Sequence, residues 1–456
     1  MKFNIMKFSS SALKGGGYIK AVEIMNERSK QHNTLGVISS IKGSVDLLNE
    51  SSNLAANGKL EDSVSKVNKL YELYLDEVNI IKNKNKVSHK LIELKEELLN
   101  LLKTISILGE ITPSIKDRVT AYAESFSLEV LEVTARSMGI DVDARSGGNW
   151  GIITDDEYGS ANPLYNSSYQ AIKNATNQAV GNKVLVVGGL TGKTRDGRVT
   201  YMGRGSSDMV AATFAVSLNA DILEVWSNVD GLMTADPRFI SNAKSISRLS
   251  YNEARELLSF NSELFAPASL NLLSKQNIKI NIKNINNRNL QGTLIERDSQ
   301  ISPNVVKAVV YIDQISIITL EGVNIQKLLP RILARMIEHN IEIRMMSLSA
   351  SATELSIIVP FNTLNKCKSI IEFEFLGKDI NDYHVVNSAC AISIVGEGMK
   401  GTPGVAAKLF NSVARNSINV LMITQGSSEL NIGFVVDSSS CIKALKSVHS
   451  EFIESS

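Results

Sequence analysis

The sequence predicts an α/β protein in which a doubly wound, open sheet is followed by a duplicated smaller module. Two short apolar runs, Lys183–Val187 and Ala220–Trp226, are typical of buried parallel strands, and the alanine-rich stretch between them has the pattern of a helix. A strand, a helix and a strand at this spacing predict a ligand site beyond the carboxyl ends of the strands. The last third repeats at an offset of about 77 residues, since Ile315–Ile317 corresponds to Ile392–Ile394, which indicates a duplicated domain.

The composition argues against several classes of protein. The chain has 456 residues, 43% of them hydrophobic, which is enough for two or three domains with proper cores. With 48 Lys and Arg against 47 Asp and Glu, it lacks the basic footprint of a nucleic-acid-binding protein. No apolar run approaches the ~20 residues of a membrane span, and the N-terminus has no apolar signal region, so we expect a cytoplasmic protein. Cys367, Cys390 and Cys441 form neither a metal-ligand spacing nor a disulfide framework, and we expect free thiols.

The first half of the chain alternates strand and helix signals. The first strand is predicted at Phe3–Phe8 and the second at Leu35–Ser40. Apolar residues then recur at helical spacing over about residues 60–110, which predicts a helical subdomain interrupted by the charged run Lys82–Lys86. The next helix should begin near Pro113, because proline is favoured in a first helical turn.

The later elements follow the same logic. A strand end is predicted at Asp141–Arg145, a closing strand at Lys279–Asn284, and a linker at Asp298–Pro303. Gly188–Thr194 is one residue too short between its glycines for a phosphate-binding P-loop, so we favour a turn beside the substrate. Each copy of the duplicated module is predicted to have the order strand, helix, strand, strand.

The stretch Gly203–Asp208 is the strongest local signal for a binding site. Gly203 and Gly205 allow backbone angles that a side chain would forbid, and the Ser206–Asp208 segment suits the start of a helix, where free N–H groups attract anions. Arg204 adds a fork that can grip a carboxylate or phosphate. Asp208 could hold a substrate ammonium. The alternative is an ordinary capped turn.

Two motifs resemble the aspartate kinase family. Gly203–Asp208 is similar to the family's GRGGSD, and Trp226–Arg238, with the sequence WSNVDGLMTADPR, is similar to WTDVDGxxTADPR. The resemblance implies an amino-acid-kinase domain at residues 1–298 and two ferredoxin-like ACT domains at 304–380 and 386–456. It also implies transfer of the γ-phosphoryl group of ATP to the side-chain carboxylate of L-aspartate, which gives 4-phospho-L-aspartate, the first step of lysine, threonine and methionine biosynthesis.

The resemblance further implies roles for individual residues. The expected catalytic residues are Lys7 and Asp208. The substrate aspartate is expected to contact Ser39, Glu124, Arg204 and Ser207. The nucleotide is expected to contact Ser9, Ser10, Ser227, Asn228, Asp230, Met233, Thr234, Asp236 and Arg238. An amino-acid effector, lysine or threonine, is expected to contact Met399, Gly401, Val405, Asn419 and Val420 in the second ACT domain.

The expected cofactors are ATP and Mg²⁺, with the metal held mostly by the phosphates rather than by protein ligands. The acceptor carboxylate is ionised at neutral pH and needs no general base, which agrees with the lack of any histidine between His89 and His339. We expect no nucleic-acid or membrane partner, and a homodimer formed through the ACT domains. A purely structural role of these domains in the dimer is the alternative.

Five of the departures from the family pattern bear most directly on catalysis. Ser9 and Ser10 replace glycines, and serine would cost on the order of 1 kcal/mol at a position that needs a positive φ. Val45 replaces a threonine, Asn228 an aspartate and Glu263 a lysine that faces the nucleotide. These changes leave open a catalytically impaired paralogue that serves as an amino-acid-sensing regulatory subunit. A third possibility is an amino-acid kinase with a different carboxylate acceptor.

Overall fold

The computed structural model describes residues 3–81, 89–179, 183–260, 264–297 and 305–454. These residues form two compact units, each made of segments that are separate in sequence. The first unit comprises Met1–Leu232, Ser247–Tyr251 and Asn261–Asp298, and the second comprises Met233–Ile246, Asn252–Phe260 and Ser299–Ser456. The predicted linker Asp298–Pro303 and the charged run Lys82–Lys86 lie outside the described residues.

The first unit is built on one large sheet and one small ribbon. Its strands are β1 (Phe3–Phe8), β2 (Asn33–Ile38), β3 (Val142–Arg145), β4 (Val184–Gly188), β5 (Thr191–Lys193), β6 (Val199–Tyr201), β7 (Ile222–Ser227), β8 (Arg248–Ser250), β9 (Lys279–Asn284) and β10 (Thr293–Glu296). The eight-stranded sheet has the order β3-β4-β2-β1-β7-β9-β10-β8, and β5 pairs with β6. Every neighbouring pair from β3 to β9 is parallel, and β10 is antiparallel to β9.

Ten α-helices accompany these strands among the described residues up to Lys275. They are α1 (Gly17–Ser29), α2 (Ser44–Ala56), α3 (Leu60–Ile80), α4 (His89–Leu108), α5 (Pro113–Thr120), α6 (Tyr122–Ser137), α7 (Tyr165–Ala179), α8 (Ser206–Ser217), α9 (Tyr251–Phe260) and α10 (Pro267–Lys275). All of α9 except Tyr251 belongs to the second unit. The predicted start of α5 is confirmed, because the Thr112 hydroxyl accepts a hydrogen bond from the Ile115 N–H at 3.3 Å.

The strand predictions were correct in position but incomplete in topology. β1 and β9 have the predicted bounds, and β4 and β7 lie within one residue or two of theirs. β4 and β7 are parallel members of one sheet, yet β2 and β1 lie between them. The chain therefore crosses two strands between β4 and β7, and the two runs do not form a simple neighbouring pair.

The second unit contains a single antiparallel sheet made by both copies of the repeat. Its elements are β11 (Ala308–Glu321), α11 (Ile325–Glu338), β12 (Met345–Leu348), β13 (Glu354–Pro360), α12 (Leu364–Glu374), β14 (Asp382–Val395), α13 (Val405–Ala414), β15 (Met422–Thr424), β16 (Asn431–Asp437) and α14 (Cys441–His449). The strand order is β12-β13-β11-β14-β16-β15. Each copy has the predicted order of strand, helix, strand and strand.

The expectation of three free thiols is wrong for two of them. Cys390 on β14 and Cys441 at the start of α14 form a disulfide, with a Cα–Cα distance of 5.7 Å. The two cysteines are 51 positions apart, so their spacing along the chain gave no sign of the pairing. Cys367 is a free, buried thiol. Within the described ranges, no helix is both long enough and apolar enough to cross a membrane.

Candidate active site

The parallel strands of the first unit end at one edge of the sheet. In register, Phe8 of β1 lies beside Ile38 of β2 and beside Trp226 of β7, and Ile38 lies beside Gly188 of β4. The chain leaves β1 toward β2 on one side and later returns as β7 on the other. Ligands of open α/β sheets bind at such a switch point, outside the carboxyl ends of the strands.

A buried ion pair lies at this edge. Lys7, the last residue but one of β1, places its Nζ 2.7 Å from Oδ1 of Asp208 on α8, and both side chains are about 5% exposed or less. The approach is a charge contact rather than an aligned hydrogen bond. The second carboxylate oxygen of Asp208 accepts a hydrogen bond from the Ala266 N–H at 3.0 Å. The two predicted catalytic residues therefore meet.

The glycine turn before α8 has the predicted geometry. Gly203 and Gly205 have φ values of 77° and 78°, in the left-handed region that favours glycine. The turn aims Arg204 outward: its side chain is exposed, and no hydrogen bond or ion pair joins its guanidinium to another residue within the described ranges. Ser207 packs against Gly189, where an added Cβ would lie 2.7 Å from the serine Cβ.

The serines that follow β1 are compatible with their backbone. Ser9 has φ −68° and ψ 153°, and Ser10 begins a short 3-10 turn that ends at Ala12. Neither is among the described residues with a positive φ. The Ser9 hydroxyl accepts a hydrogen bond from Lys7 Nζ at 3.0 Å. The strain considered for these positions is therefore absent, and Ser9 helps to hold the ammonium.

Ser39 presents a buried hydroxyl just beyond β2. Its side chain is 5% exposed, and its Oγ has no hydrogen-bond partner among the described residues. The backbone around it is fixed, because the Ser39 N–H donates to Phe8 and the Ser127 hydroxyl donates to the Ser39 carbonyl at 2.7 Å. An unpaired buried hydroxyl costs free energy unless a ligand completes it, so Ser39 fits the predicted substrate contact.

Glu124 is engaged by the protein itself. Its Oε2 accepts hydrogen bonds from the N–H groups of Leu190 and Thr191 at 2.6 and 2.9 Å, and its Oε1 accepts one from the Thr191 hydroxyl at 2.8 Å. Burial raises the pKa of Glu124, and these hydrogen bonds oppose the rise. The carboxylate thus organises the turn after β4, a role that no spacing along the chain indicates. An added Cβ at Gly188 would meet it at 2.2 Å.

The second predicted motif is divided between the two units. Ser227 ends β7 and is buried, Asn228 and Asp230 are exposed, and Asp230 accepts a hydrogen bond from the Asn284 amide at 2.6 Å. These residues belong to the first unit, whereas the segment from Met233 onward belongs to the second.

Within the second unit, Asp236 and Arg238 form an ion pair with an N–O distance of 2.6 Å. The Tyr311 hydroxyl donates to Asp236 and accepts from Arg238, each at 3.1 Å. Partial burial alone would raise the pKa of Asp236, but hydrogen bonds from Arg238 and Tyr311 outweigh it and lower that pKa. Burial and the nearby Asp236 raise the pKa of Tyr311 to about 12. The Arg238 side chain itself is largely exposed.

The five predicted effector residues also lie in the second unit. Met399 and Val405 are buried, Val420 is half-buried, and Asn419 is exposed. The Gly401 N–H donates to the Glu429 carboxylate at 2.7 Å. That amide would have to leave Glu429 to receive an effector carboxylate.

Sequence reasoning missed Glu77. This residue of α3 is buried, and its two carboxylate oxygens accept hydrogen bonds from the N–H groups of Gly15 and Gly16 at 2.7 and 2.9 Å. It therefore fixes the loop that follows the Ser9 turn. The triple glycine at residues 15–17 was the available signal, since such a run exposes backbone N–H groups. Across the described ranges, no cluster of three His, Cys, Asp or Glu side chains could hold a metal ion.

Comparisons with known proteins identify the family and the fold. Residues 2–284 match the amino acid kinase family, and residues 392–452 match an ACT domain. An aspartokinase of Schizosaccharomyces pombe is 30% identical over 387 residues, which cover 78% of this chain and 73% of the relative. A bifunctional aspartokinase/homoserine dehydrogenase of Haemophilus influenzae is 28% identical over 366 residues, covering 77% of this chain but 44% of the relative. The chain thus spans less than half the length of that curated relative.

Two solved structures share the fold. Escherichia coli aspartokinase III in complex with aspartate and ADP superposes with a TM-score of 0.83 at 20% identity, covering 99% of each chain. Clostridium acetobutylicum aspartate kinase superposes with a TM-score of 0.74 at 24% identity, covering 99% of this chain and all of the other.

Proposed function

Because the chain belongs to the amino acid kinase family and, within it, to the aspartokinases, we propose that it transfers the γ-phosphoryl group of ATP to the side-chain carboxylate of L-aspartate. The observation that carries the proposal is the buried pair of Lys7 and Asp208, 2.7 Å apart at the carboxyl end of β1. A buried ammonium at such an edge is suited to the charge of a transferring phosphoryl group.

The reaction needs positioning and charge neutralisation rather than proton transfer. An oxygen of the ionised aspartate carboxylate attacks the γ-phosphorus, and the bond from that phosphorus to its bridging oxygen breaks to release ADP. The Lys7 ammonium stabilises charge on the transferring group. Asp208 and Ser9 hold that ammonium in place, and the Ala266 N–H holds Asp208.

Substrate binding is proposed for the groups left unpaired at the same edge. Arg204 would grip a carboxylate of aspartate with its free guanidinium, and the Ser39 hydroxyl would gain the partner that it lacks. Ser207 and Glu124 are proposed to line the site, with Glu124 also holding the turn after β4. The contact of Glu124 with the substrate ammonium stays a prediction from the resemblance.

The nucleotide contacts predicted from Ser227 to Arg238 stay part of the proposal. Mg²⁺, when bound with ATP, would offset the charge of the phosphates, and we propose that the phosphates supply most of its ligands. The product, 4-phospho-L-aspartate, would begin lysine, threonine and methionine biosynthesis. Escherichia coli aspartokinase III has been solved with lysine and aspartate, and by analogy we propose lysine or threonine as the effector of the ACT domains, which we expect to form a homodimer.

A second candidate function is an amino-acid-sensing subunit with an impaired kinase domain. The observation that favours it is the exposed Asn228 directly after β7, where the family usually has an aspartate. Glu263, the other change of charge, lies outside the described residues.

Trapping the acyl phosphate with hydroxylamine separates the two candidates. Purified protein with Mg-ATP and L-aspartate should give hydroxamate, and the Lys7→Ala variant should give a background signal. A folded wild-type protein that forms no more hydroxamate than Lys7→Ala would reject the kinase. Hydroxamate that forms only when L-aspartate is replaced by another carboxylate, such as L-glutamate, would keep the kinase and change its substrate.

A further inference from the structure

Thr234 lies in the Trp226–Arg238 motif, here called the nucleotide motif, and its hydrogen-bond partners described below all belong to the second unit. Its N–H donates to the Lys244 carbonyl at 2.8 Å, and the Lys244 N–H donates back to the Thr234 hydroxyl at 3.0 Å. The Thr234 carbonyl accepts a hydrogen bond from the Val309 N–H at 2.8 Å. Farther along the segment, Ala235 and Ile240 pack in the apolar core of this unit. The segment is therefore anchored by its backbone and by its side chains.

The last contact of Thr234 is a histidine at the end of α14. Its Oγ1 lies 3.1 Å from Nε2 of His449, whose side chain has no solvent exposure. The opposite ring nitrogen, Nδ1, lies 3.2 Å from Oε1 of Glu454. Because a carboxylate only accepts, the contact with Glu454 places the ring proton on Nδ1, which leaves the lone pair of Nε2 to accept from the Thr234 hydroxyl.

A buried imidazole at this place needs an explanation, because its neighbours are apolar. Val448, Phe452 and Ile453 flank it in the same core, and a leucine would fill such a space without a polar group to satisfy. Burial lowers the pKa of His449; hydrogen bonding and charge from Glu454 oppose this, and the charge of Lys244 adds to it. The neutral ring thus matches the hydrogen bonds that Thr234 and Glu454 make with it.

We propose that His449 is a positioning residue that holds Thr234, and with it the Met233–Arg238 part of the nucleotide motif, in the conformation that binds ATP. The inference rests on the proposed function, since it assumes that this motif contacts the nucleotide. The motif crosses from the first unit to the second between Leu232 and Met233. Its second half contacts α14, the last α-helix of the duplicated module, through the hydrogen bond between Thr234 and His449. A displacement of α14 would therefore displace Thr234.

The experiment compares His449→Leu with His449→Gln in the full chain. Leucine removes the acceptor for the Thr234 hydroxyl, whereas the glutamine side-chain oxygen restores one. Binding of ADP, measured by calorimetry, should weaken about five- to tenfold in His449→Leu and stay within about twofold of wild type in His449→Gln. The KM for ATP should rise in parallel while the KM for L-aspartate is unchanged. Lys446→Gln, an exposed change on the same helix, is the matched control.

A double-mutant cycle with Thr234→Val distinguishes positioning from general damage. Thr234→Val removes the Lys244 contact and any nucleotide contact in both backgrounds, but it breaks the bond to His449 only in the wild type. The loss of ADP affinity caused by Thr234→Val should therefore be smaller in His449→Leu than in the wild type. Hydrogen exchange over residues 233–246 should accelerate in His449→Leu, because the Thr234 and Lys244 amides are protected by this network.

Three results with the His449 variants would overturn the inference. The first is equal affinity of wild type and His449→Leu for ADP. The second is a parallel rise in the KM values for ATP and L-aspartate together with a lower Tm. The third is failure of His449→Gln to restore ADP binding. A wild-type protein that binds ADP but forms no hydroxamate would contradict the proposed reaction. The ADP affinities of the His449 variants would still test the role of His449. Wild type that binds no nucleotide would overturn both.

Discussion

Replacing Lys7 by methionine should destabilise the first unit, because it leaves the buried carboxylate of Asp208 without its counter-charge. At 2.7 Å and an effective dielectric near 20, the attraction of the pair is about 6 kcal/mol before desolvation is counted. Removing one partner of a buried pair costs about 3–5 kcal/mol. Asp208 keeps the hydrogen bond from Ala266, so we expect a loss near 3 kcal/mol.

The same variant should lose catalysis, and a second variant separates the two effects. Loss of one preorganised electrostatic group lowers kcat by about 10²–10³-fold, so the Lys7→Met enzyme should be at least that much slower. The double variant Lys7→Met/Asp208→Leu buries no unpaired charge. It should regain most of the stability without regaining activity.

Two measurements check this prediction. The chain has two tryptophans, Trp150 and Trp226, and both are buried in the first unit, so urea unfolding followed by tryptophan fluorescence reports on that unit. Hydroxamate formation reports activity, and Lys30→Met, at an exposed lysine, is the control. A Lys7→Met variant that keeps more than a tenth of wild-type activity would contradict the catalytic role of Lys7. A double variant as unstable as the single one would contradict the explanation by an unpaired buried charge.

Four further predictions concern separate contacts. Ser9→Ala removes a hydroxyl that accepts a hydrogen bond from the Lys7 ammonium at 3.0 Å, so kcat should fall about three- to tenfold in steady-state kinetics. An unchanged kcat would contradict this. Glu124→Gln replaces a charged acceptor of three buried hydrogen bonds by a neutral amide, and bonds to a charged acceptor are the stronger ones. The fluorescence-detected urea midpoint should fall, with a loss of about 1–3 kcal/mol, and an unchanged midpoint would argue against it. Reducing the Cys390–Cys441 disulfide, which spans 51 positions, should lower the free energy of unfolding of the second unit by about 4 kcal/mol. Calorimetry with and without a dithiol measures this loss, and identical unfolding transitions would contradict it. Because burial lowers the pKa of His449, its contribution to stability is complete above about pH 6.5 and is lost as the pH falls toward the lower folded-state pKa. Relative to His449→Gln, the wild type should therefore lose thermal stability below that pH, and parallel pH profiles would contradict the assignment.

The positions of many elements could be predicted from the sequence because their signals are local. A buried parallel strand is a short apolar run, and β4 and β7 were located to within two residues by that property. β9 was located by its alternation of polar and apolar residues. Strand neighbours could not be predicted, because pairing depends on residues far away in sequence. β7 lies beside β1 and β9, which start more than fifty residues away from it on either side of the chain.

The candidate site shows the same division. The positive φ values of Gly203 and Gly205 follow from a local turn, and the sequence indicated them. The contacts of Glu124 depend on donors 66 and 67 positions away, so no spacing rule could find them. Nor could the sequence show that Thr234 is held by His449, 215 positions later, since a lone histidine at the end of an amphipathic helix has many possible partners.

The serines after β1 bear directly on the choice between an enzyme and a sensing subunit. The objection to them was steric, because glycines that need a positive φ cannot be replaced without strain. Ser9 is in an extended conformation at φ −68°, and Ser10 begins a 3-10 turn, so neither position carries that cost. Ser9 moreover accepts a hydrogen bond from Lys7. What still favours a degenerate kinase is a change of charge near the nucleotide, because Asn228 replaces an aspartate and Glu263 replaces a lysine of the family pattern. A phosphate-binding defect of that kind would raise the KM for ATP and leave the Lys7 chemistry intact, so saturating ATP should restore hydroxamate formation.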